Sequence, residues 1–456
     1  MKRLFGTDGI RGRLCDGLDP HLAFKVGYAS AEVLSDGVVG SRVLIACDTR
    51  LSSSALVGAL ASGICMSGCD AYICGVLPTP ALAYLVEAGG YLYGVMVSAS
   101  HNGAEYNGIK LISSAGTKLA DEVETDIEKE IFDFDGKEHR LSEDFCIGRI
   151  LSYDSASHEY VEHLRECYLN ACRGFECNTR LRIGIDCANG ATAPLSAQVF
   201  TELGHEVIFI NREPDGKNIN LGCGSTDTAG LSALVVKRGL DLGVAFDGDG
   251  DRCLAVDSDG RLVDGDEIIA VLLEDAVRTG KLTNACAVGT VMSNRGLAER
   301  CGELGVRFIA AAVGDRYVKE EMDKSGAIIG GEPSGHIVFG GLCSTGDGPL
   351  TALMLISLMS RSGRTLKELC SSFNRVPAFE RNITIDPARR NEFKEDGEME
   401  ALRKCVYEEL GQGASLVLRA SGTEPCIRIR IECRDEKKAR SAMERLYTQI
   451  SEKYGI

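Results

Sequence analysis

The run Asp247-Gly248-Asp249-Gly250-Asp251-Arg252 directly follows the apolar stretch Leu242–Phe246. Three carboxylates at alternate positions, leaving one buried strand together, would repel one another and raise each other's pKa unless a cation sits among them. A hard divalent ion with oxygen ligands relieves that repulsion, and the glycines let the backbone fold tightly enough for alternate side chains to converge. An EF-hand calcium loop wants Gly at its sixth position and Glu at its twelfth. Here those positions hold Arg252 and Ser258, and a strand precedes the loop. Asp247, Asp249 and Asp251 are therefore expected to ligate a metal, the alternative being a solvated acidic turn. Mg²⁺ is favoured because three protein carboxylates leave room for a phosphate oxygen or water. Arg252 beside them suits a phosphoryl clamp.

Four other segments carry reactive side chains. Val97-Ser98-Ala99-Ser100-His101-Asn102 follows the apolar run Tyr93–Val97, with Asn107-Gly108-Ile109-Lys110 just beyond. A loop serine backed by His101 could be a nucleophile, although a turn of small polar residues reads the same way. No G-x-S-x-G elbow surrounds Ser100, so a Ser-His-Asp hydrolase is not supported. Gly331-Glu332-Pro333-Ser334-Gly335-His336 offers Glu332 and Ser334 to vicinal hydroxyls and His336 for proton movement; a Pro/Gly turn is the plainer reading. Arg419-Ala420-Ser421-Gly422-Thr423-Glu424-Pro425, with Arg428 beyond, suits a phosphate cradle or a hairpin turn with surface arginines. Phe5-Gly6-Thr7-Asp8-Gly9-Ile10-Arg11-Gly12 could bring Arg11 and its backbone close to an anion.

The elements that must position these groups read as short apolar runs ending in polar or glycine-rich turns. Val43–Ala46, Leu181–Ile185, Leu242–Phe246 and Ala285–Gly289 have the continuous hydrophobicity of buried parallel strands, whose functional loops lie at their carboxyl ends. Strand, turn and helix-like stretch recur with irregular period, which predicts several α/β domains in series rather than a solenoid. Ile427, Ile429 and Ile431 alternate with polar residues as in a half-buried strand, and Ala439, Met443, Leu446 and Ile450 share one helix face. The last part is therefore expected to be a small α+β domain, with Asn391–Glu398 as a loop inside it. Polar stretches place the domains at 1–150, 151–256, 257–370 and 371–456.

Composition narrows the classes. The 456 residues are 44% hydrophobic and 25% charged, enough for several cores. No stretch approaches the ~20 apolar residues that span a bilayer, and the N-terminus turns glycine-rich before a signal-peptide core could form. A cytoplasmic protein without a membrane partner is expected. The 19 cysteines are scattered, with no C-x-x-C pair, and read as free, mostly buried thiols. A net charge of −16 argues against nucleic acid. It also requires any phosphate ester to be met by arginines gathered in one cleft.

Together, and in this order, the five segments resemble the α-D-phosphohexomutase superfamily, from Phe5 to about Arg430. Gly103, Tyr106 and Pro333 depart from its usual pattern. The resemblance implies four domains round a central cleft: three related α/β domains with mixed sheets and a smaller C-terminal α+β domain, each giving one loop. It implies a Mg²⁺-dependent enzyme phosphorylated on Ser100, inactive until primed, with one Mg²⁺ on Asp247, Asp249, Asp251 and the phosphoserine. A sugar O1 or O6 would take the phosphoryl group, and the bisphosphorylated sugar would turn round and return its other phosphate. Glu332 and Ser334 would hold the sugar. Arg419, Ser421, Gly422, Thr423 and Arg428 would grip the non-reacting phosphate. Lys110 and His336 would move protons beside His101, while Arg11 and Arg252 stabilise the transferring charge. Closure of the last domain would gate turnover, and a homodimer is implied. Phe5–Gly12, Pro78–Leu85, Asp186–Thr192 and Val313–Val318 are nearest the branch that interconverts glucosamine 6-phosphate and glucosamine 1-phosphate, supplying amino-sugar nucleotide and cell-envelope precursors. The mannose- and glucose-phosphate branches are the alternative, and Pro333 in the sugar loop bears on that choice.

Overall fold

The computed structural model describes residues 4–6, 8–136, 147–177, 179–282, 284–411, 413–420 and 425–456. Four sheets follow one another along the chain. The first contains β1 (Ile10–Leu14), β2 (Gly17–Leu18), β3 (Arg42–Cys47), β4 (Asp70–Val76), β5 (Tyr93–Val97), β6 (Tyr106–Ser113) and β7 (Ile150–Ser152), in the order β2-β1-β6-β5-β3-β4-β7. The second contains β8 (Arg182–Asp186), β9 (Glu206–Ile210), β10 (Leu242–Phe246), β11 (Cys253–Asp257) and β12 (Leu262–Val263), ordered β12-β11-β10-β8-β9. The third contains β13 (Cys286–Thr290), β14 (Arg307–Ala311), β15 (Ile329–Gly331) and β16 (Ile337–Phe339), ordered β14-β13-β15-β16. The fourth, β17 (Ala378–Thr384), β18 (Ser415–Ala420) and β19 (Cys426–Glu432), is antiparallel in the order β17-β19-β18.

The first three sheets are mixed in the same way. A fully buried strand pairs in parallel with an inner neighbour on one side and antiparallel with the next strand in sequence on the other. β5 and β10 are buried at every residue, as their unbroken hydrophobicity requires. In β3, successive side chains point to opposite faces. Val43 and Ile45 join a core with helices Pro20–Ser35 and Ser53–Met66, whereas Leu44 and Ala46 join another that runs on through residues of the second and third sheets. One apolar core thus extends from Leu44 to Phe373, while the fourth sheet and its helices bury a core of their own, from Ile383 to Tyr454. The junction to that last unit is polar. Buried Glu432 accepts from Asn294 Nδ2 (3.2 Å) and from the Arg295 backbone N–H (2.8 Å), and Asn294 Nδ2 also donates to the Val376 carbonyl (2.9 Å).

Several expectations change. A break after residue 150 falls inside β7, which pairs with β4, and a break after 256 falls inside β11. The polar Asp257–Gly260 stretch is a turn within the second sheet: Asp257 N–H donates to the Arg261 carbonyl at 3.0 Å, and Gly260 takes φ 81°. Asn391–Glu398 is not a loop. Helices Arg390–Glu395 and Gly397–Leu410 meet at Asp396, whose carboxylate caps the second by accepting from Glu398 N–H (2.9 Å). The segment buries only Phe393, so the helical period was too sparse to read. No disulfide forms among the described cysteines, most of which are buried.

The helix Gly348–Ser362 abuts the aspartate loop through Gly348 N–H, which donates to the Gly250 carbonyl at 3.0 Å. Its N-cap Asp347 is fully buried, accepting from Leu350 N–H (2.8 Å) and from the Tyr160 hydroxyl (2.9 Å). Burial pushes its pKa up to about 7, against the pull of those two donors. Between the unfolded value and about 7 the folded state keeps a proton that the unfolded state releases, so this group's stabilisation is complete below that window and lost as pH rises through it. Asp347→Asn keeps the cap without the titration. Its melting temperature relative to the parent should climb between pH 4 and pH 8, by the equivalent of up to ~4 kcal/mol. Calorimetry across that range, showing a constant difference, would refute this.

Candidate active site

Ser100 sits in the turn between β5 and β6, with the left-handed φ of 51° and 1% exposure. Its Oγ donates to Asp247 Oδ2 at 2.8 Å, joining residues 147 apart in sequence. His101 Nδ1 lies 3.3 Å from the same Oγ. Burial, then Arg252 and Arg11, push the pKa of His101 down to about 4, so its ring is neutral near pH 7.

The aspartate turn joins β10 to antiparallel β11, rather than leading into a helix. One carboxylate oxygen from each of Asp247, Asp249 and Asp251 lies within 4.8 Å of the others, and all three residues are buried. Lys110 Nζ, from β6, is 2.7 Å from Asp249 Oδ2 and 3.6 Å from Asp251 Oδ2, and the Thr79 hydroxyl donates to Asp249 Oδ2 at 2.7 Å. Burial raises Asp247 well above the carboxylate range, and its two neighbouring carboxylates push it further. Burial pushes Asp249 up as well, but Lys110, by charge and hydrogen bond, and Thr79 outweigh it and hold this carboxyl low. Oδ1 of Asp249 and Oδ1 of Asp251 are buried without a hydrogen-bond partner among the described residues. Orphaned carboxylate oxygens converging beside a serine hydroxyl fit a small oxygen-preferring divalent ion.

A cleft of about 260 Å³ opens beside this cluster. Arg11, Ser100, Lys110, Asp251, Arg252, Glu332, His336, Arg419 and Arg428 all line it, so the cleft draws on all four sheets. Arg11 donates to Asp8 Oδ2 (2.8 Å) and to Asn102 Oδ1 (3.4 Å). Glu332 and His336 flank the turn from β15 to β16, and a bridge between Arg252 and His336 ties that turn to the aspartate turn. Burial, with Asp315 and Asp8, raises the Glu332 pKa against the pull of His336 and Arg252. Arg419 and Arg428 stand directly opposite on β18 and β19. Like charges so paired destabilise a sheet, and an anion between them reverses the sign.

Other expected residues are not on the cleft wall. Asp247 and Asp249 lie behind Ser100 and Lys110, at 0% exposure. Ser334 does not line the cleft, and its Oγ is buried without a partner among the described residues. Ser421, Gly422 and Thr423 lie outside the described residues. Both expected proton carriers, Lys110 and His336, line the cleft. Burial disfavours a charged Lys110, but Asp249 and Asp251 outweigh it and raise its pKa. His336 Nε2 accepts from Gly346 N–H at 3.1 Å, which assigns the ring proton of the neutral form to Nδ1 and makes the free side a donor.

The four sheets and their loops match family descriptions in order. Phosphoglucomutase/phosphomannomutase α/β/α domain I matches residues 2–137, domain II 158–260, domain III 264–376 and the C-terminal domain 383–449. The chain belongs to this phosphohexomutase family. Among its relatives, the phosphoglucosamine mutase of Clostridium botulinum (strain Alaska E43 / Type E3) is 42% identical over 433 residues, covering 95% of each chain. That of Clostridium beijerinckii is 41% identical over 455 residues, covering 100% of both. In fold, the phosphohexomutase resembles a phosphoglucomutase/phosphomannomutase family protein from Burkholderia thailandensis (TM-score 0.80, 24% identity, 98% of each chain). It also resembles Aspergillus fumigatus N-acetylphosphoglucosamine mutase, solved with GlcNAc-6P and magnesium (TM-score 0.69, 18% identity, 98% of this chain and 95% of that one).

Sequence reasoning passed over Asp8 and Asp315, which line the phosphohexomutase cleft, and Thr79, Asp48, Arg50 and Asn220, which stand behind it. Asp48-Thr49-Arg50 directly follows the apolar strand β3, at the carboxyl end where functional turns lie. Close packing of the loops depends on Gly248: a Cβ there would lie 2.5 Å from the Ser100 carbonyl oxygen and 2.7 Å from Asn220 Nδ2. Gly248→Ala should therefore lower phosphohexomutase kcat by about 10²-fold, the usual cost of misplacing reacting groups by an ångström. Gly230→Ala, where an added Cβ meets nothing within 4 Å, should leave kcat unchanged in the same assay.

Proposed function

We propose that this phosphohexomutase interconverts glucosamine 6-phosphate and glucosamine 1-phosphate, using a phosphorylated Ser100 and a bisphosphorylated sugar, with Mg²⁺ held by Asp247, Asp249 and Asp251. The observation that carries the reading is the 2.8 Å hydrogen bond from Ser100 Oγ to Asp247, at the edge of a cleft rich in arginine. The choice of amino sugar rests on the relatives named phosphoglucosamine mutase at 41–42% identity over nearly the whole chain.

Each transfer forms one O–P bond, from a sugar hydroxyl oxygen, and breaks another, from Ser100 Oγ. The hydroxyl's proton must leave as the bond forms, and a proton must end on Ser100. When bound, Mg²⁺ supplies charge withdrawal from the phosphoryl oxygens. Arg11, Arg252 and Lys110 add fixed positive charge to the cleft wall, which offsets the three negative phosphoryl oxygens. The Glu332 carboxyl, with its raised pKa, is the acceptor best matched to a sugar hydroxyl. His336 Nδ1–H is the matching donor. The paired Arg419 and Arg428 would hold the phosphate that is not reacting, so that the two ends of the sugar can exchange places against one fixed serine. With the chain's net charge of −16, these cleft cations are what draws a phosphate ester in.

Two measurements test the reading. Intact mass should show a species heavier by one phosphoryl group, mapped to Ser100, and Ser100→Ala should abolish isomerisation while sugar-phosphate binding survives. Full turnover after exhaustive chelation of divalent ions would overturn the metal assignment. Side-by-side assays of glucosamine, mannose and glucose 6-phosphates should favour the first; equal or better turnover of another would move the assignment to the phosphomannomutase or phosphoglucomutase branch, where Pro333 is the departure to examine.

A further inference from the structure

We propose that Arg50 and Asn220, neither of which lines the cleft, are positioning residues that hold Ser100 in its transfer geometry, an inference that rests on the phosphoserine reading above. Among the described residues, Ser100 is one of seven non-glycine residues with a left-handed backbone, at φ 51°. Such a conformation costs an L-residue free energy and persists only where its surroundings over-determine it.

Those surroundings are visible on both sides of the residue. The Ser100 carbonyl accepts from Arg50 Nη2 at 3.0 Å and from Asn220 Nδ2 at 2.8 Å. The Asn102 carbonyl accepts from the same two atoms, at 2.9 and 3.0 Å. Arg50 Nη1 donates further to the Gly103 carbonyl and, at 3.0 Å, to the Tyr106 carbonyl, so one guanidinium spans the whole turn from β5 to β6. The fork is itself fixed: Nε donates to Asp48 Oδ2 at 2.7 Å, and both side chains are fully buried. Asp48 Oδ2 also accepts from the Ser98 hydroxyl (2.6 Å), whose oxygen accepts from Ser100 N–H (2.9 Å). The N–H and the carbonyl of Ser100 are thus both tied to one carboxylate, through Ser98 and through Arg50. With its backbone pinned at each end, the Oγ is directed at Asp247.

Asn220 adds a second anchor from another sheet. It lies beyond β9, in the unit that carries Asp247, and takes a left-handed φ of 58°. Its backbone N–H donates to the Ala188 carbonyl at 2.9 Å. The Asn220 amide therefore ties the loop that bears the serine to the unit that carries Asp247, and it lies 2.7 Å from where a Cβ on Gly248 of the aspartate loop would sit. Lysine at position 50 keeps the charge opposite Asp48 but is a point donor, unable to reach four carbonyls at once.

Because neither residue faces the ligand, their loss should fall on the chemical step and leave binding alone. The test uses full-length protein labelled with ³²P on Ser100, with Arg50→Lys and Asn220→Ala compared with the parent. Steady-state kcat and KM for glucosamine 6-phosphate, rapid-quench discharge of the label, and melting temperature are read on the same samples. Label discharge and kcat should fall about 10²-fold in Arg50→Lys and about tenfold in Asn220→Ala, with KM within about threefold of the parent. Asn220 is a half-buried loop residue, so its variant stays folded even if Arg50→Lys does not. An unlabelled, inactive parent would overturn the phosphoserine reading and this inference with it. An active parent whose variants discharge label at the parent's rate, or lose kcat only in proportion to folded protein, would overturn the inference alone.

Discussion

Three carboxylates whose oxygens converge within 4.8 Å, buried away from water, are the constraint round which the rest of the molecule is arranged. Leaving one such charge uncompensated costs several kcal/mol. Part of the compensation comes from the first sheet: Lys110 on β6 and Thr79, at the start of helix Thr79–Gly89, reach Asp249, and Ser100 reaches Asp247. The second sheet cannot carry this loop alone, because its own nearest cation, Arg252 Nε, stands 3.9 Å from Asp251 Oδ1. The electrostatics of the site and the docking of the first two sheets are one problem with one solution. The orphaned oxygens that remain are the part left for a metal.

One local device, an antiparallel pair of strands, delivers chemistry four times. Ser100, the aspartates and Glu332 lie in or beside turns joining two antiparallel neighbours, β5 to β6, β10 to β11 and β15 to β16, and the Arg419–Arg428 pair faces across antiparallel β18 and β19. In the first three sheets a strand buried on both faces, β5, β10 or β15, fixes where the turn begins, and the returning strand fixes where it ends. Register matters at once, since a slip of one residue sends each side chain to the opposite face. Lys110 faces the aspartates because β6 pairs Ile109 with Val97 and Lys110 with Met96, and Arg11 sits beside it because β1 pairs Arg11 with Gly108.

How much of this was legible follows from what each residue signals in one dimension. The aspartate triplet declares itself, since three like charges at alternate positions after an apolar strand demand a counter-charge. Strand β10 could be bounded at Leu242 and Phe246 because hydrophobicity is unbroken between polar neighbours. Its continuation as β11 could not: Cys253–Asp257 is a short apolar run whose period does not separate strand from buried helix. Ser100 could be named from its type and neighbours, but the means of holding it could not. Asp48 and Arg50, two apart beside a strand, look like a surface turn until the fold buries them, and Asn220 becomes relevant only once β9 brings its loop to the first sheet. Partners more than a hundred residues apart leave no trace in local spacing.

The apolar core that runs from Leu44 to Phe373 stops short of the final sheet, which packs Ile383, Phe393, Leu402, Ile427, Leu446 and Tyr454 among themselves and meets its neighbour through Glu432 and Asn294. Heat therefore acts on two bodies with different reserves. The terminal one can melt without exposing the larger oily interior, because the seam between them is made of hydrogen bonds that water replaces in kind. A single midpoint would then misdescribe the protein: loss of turnover on warming would report the smaller body's cooperativity, and the bulk of the heat absorbed would belong to the other three sheets.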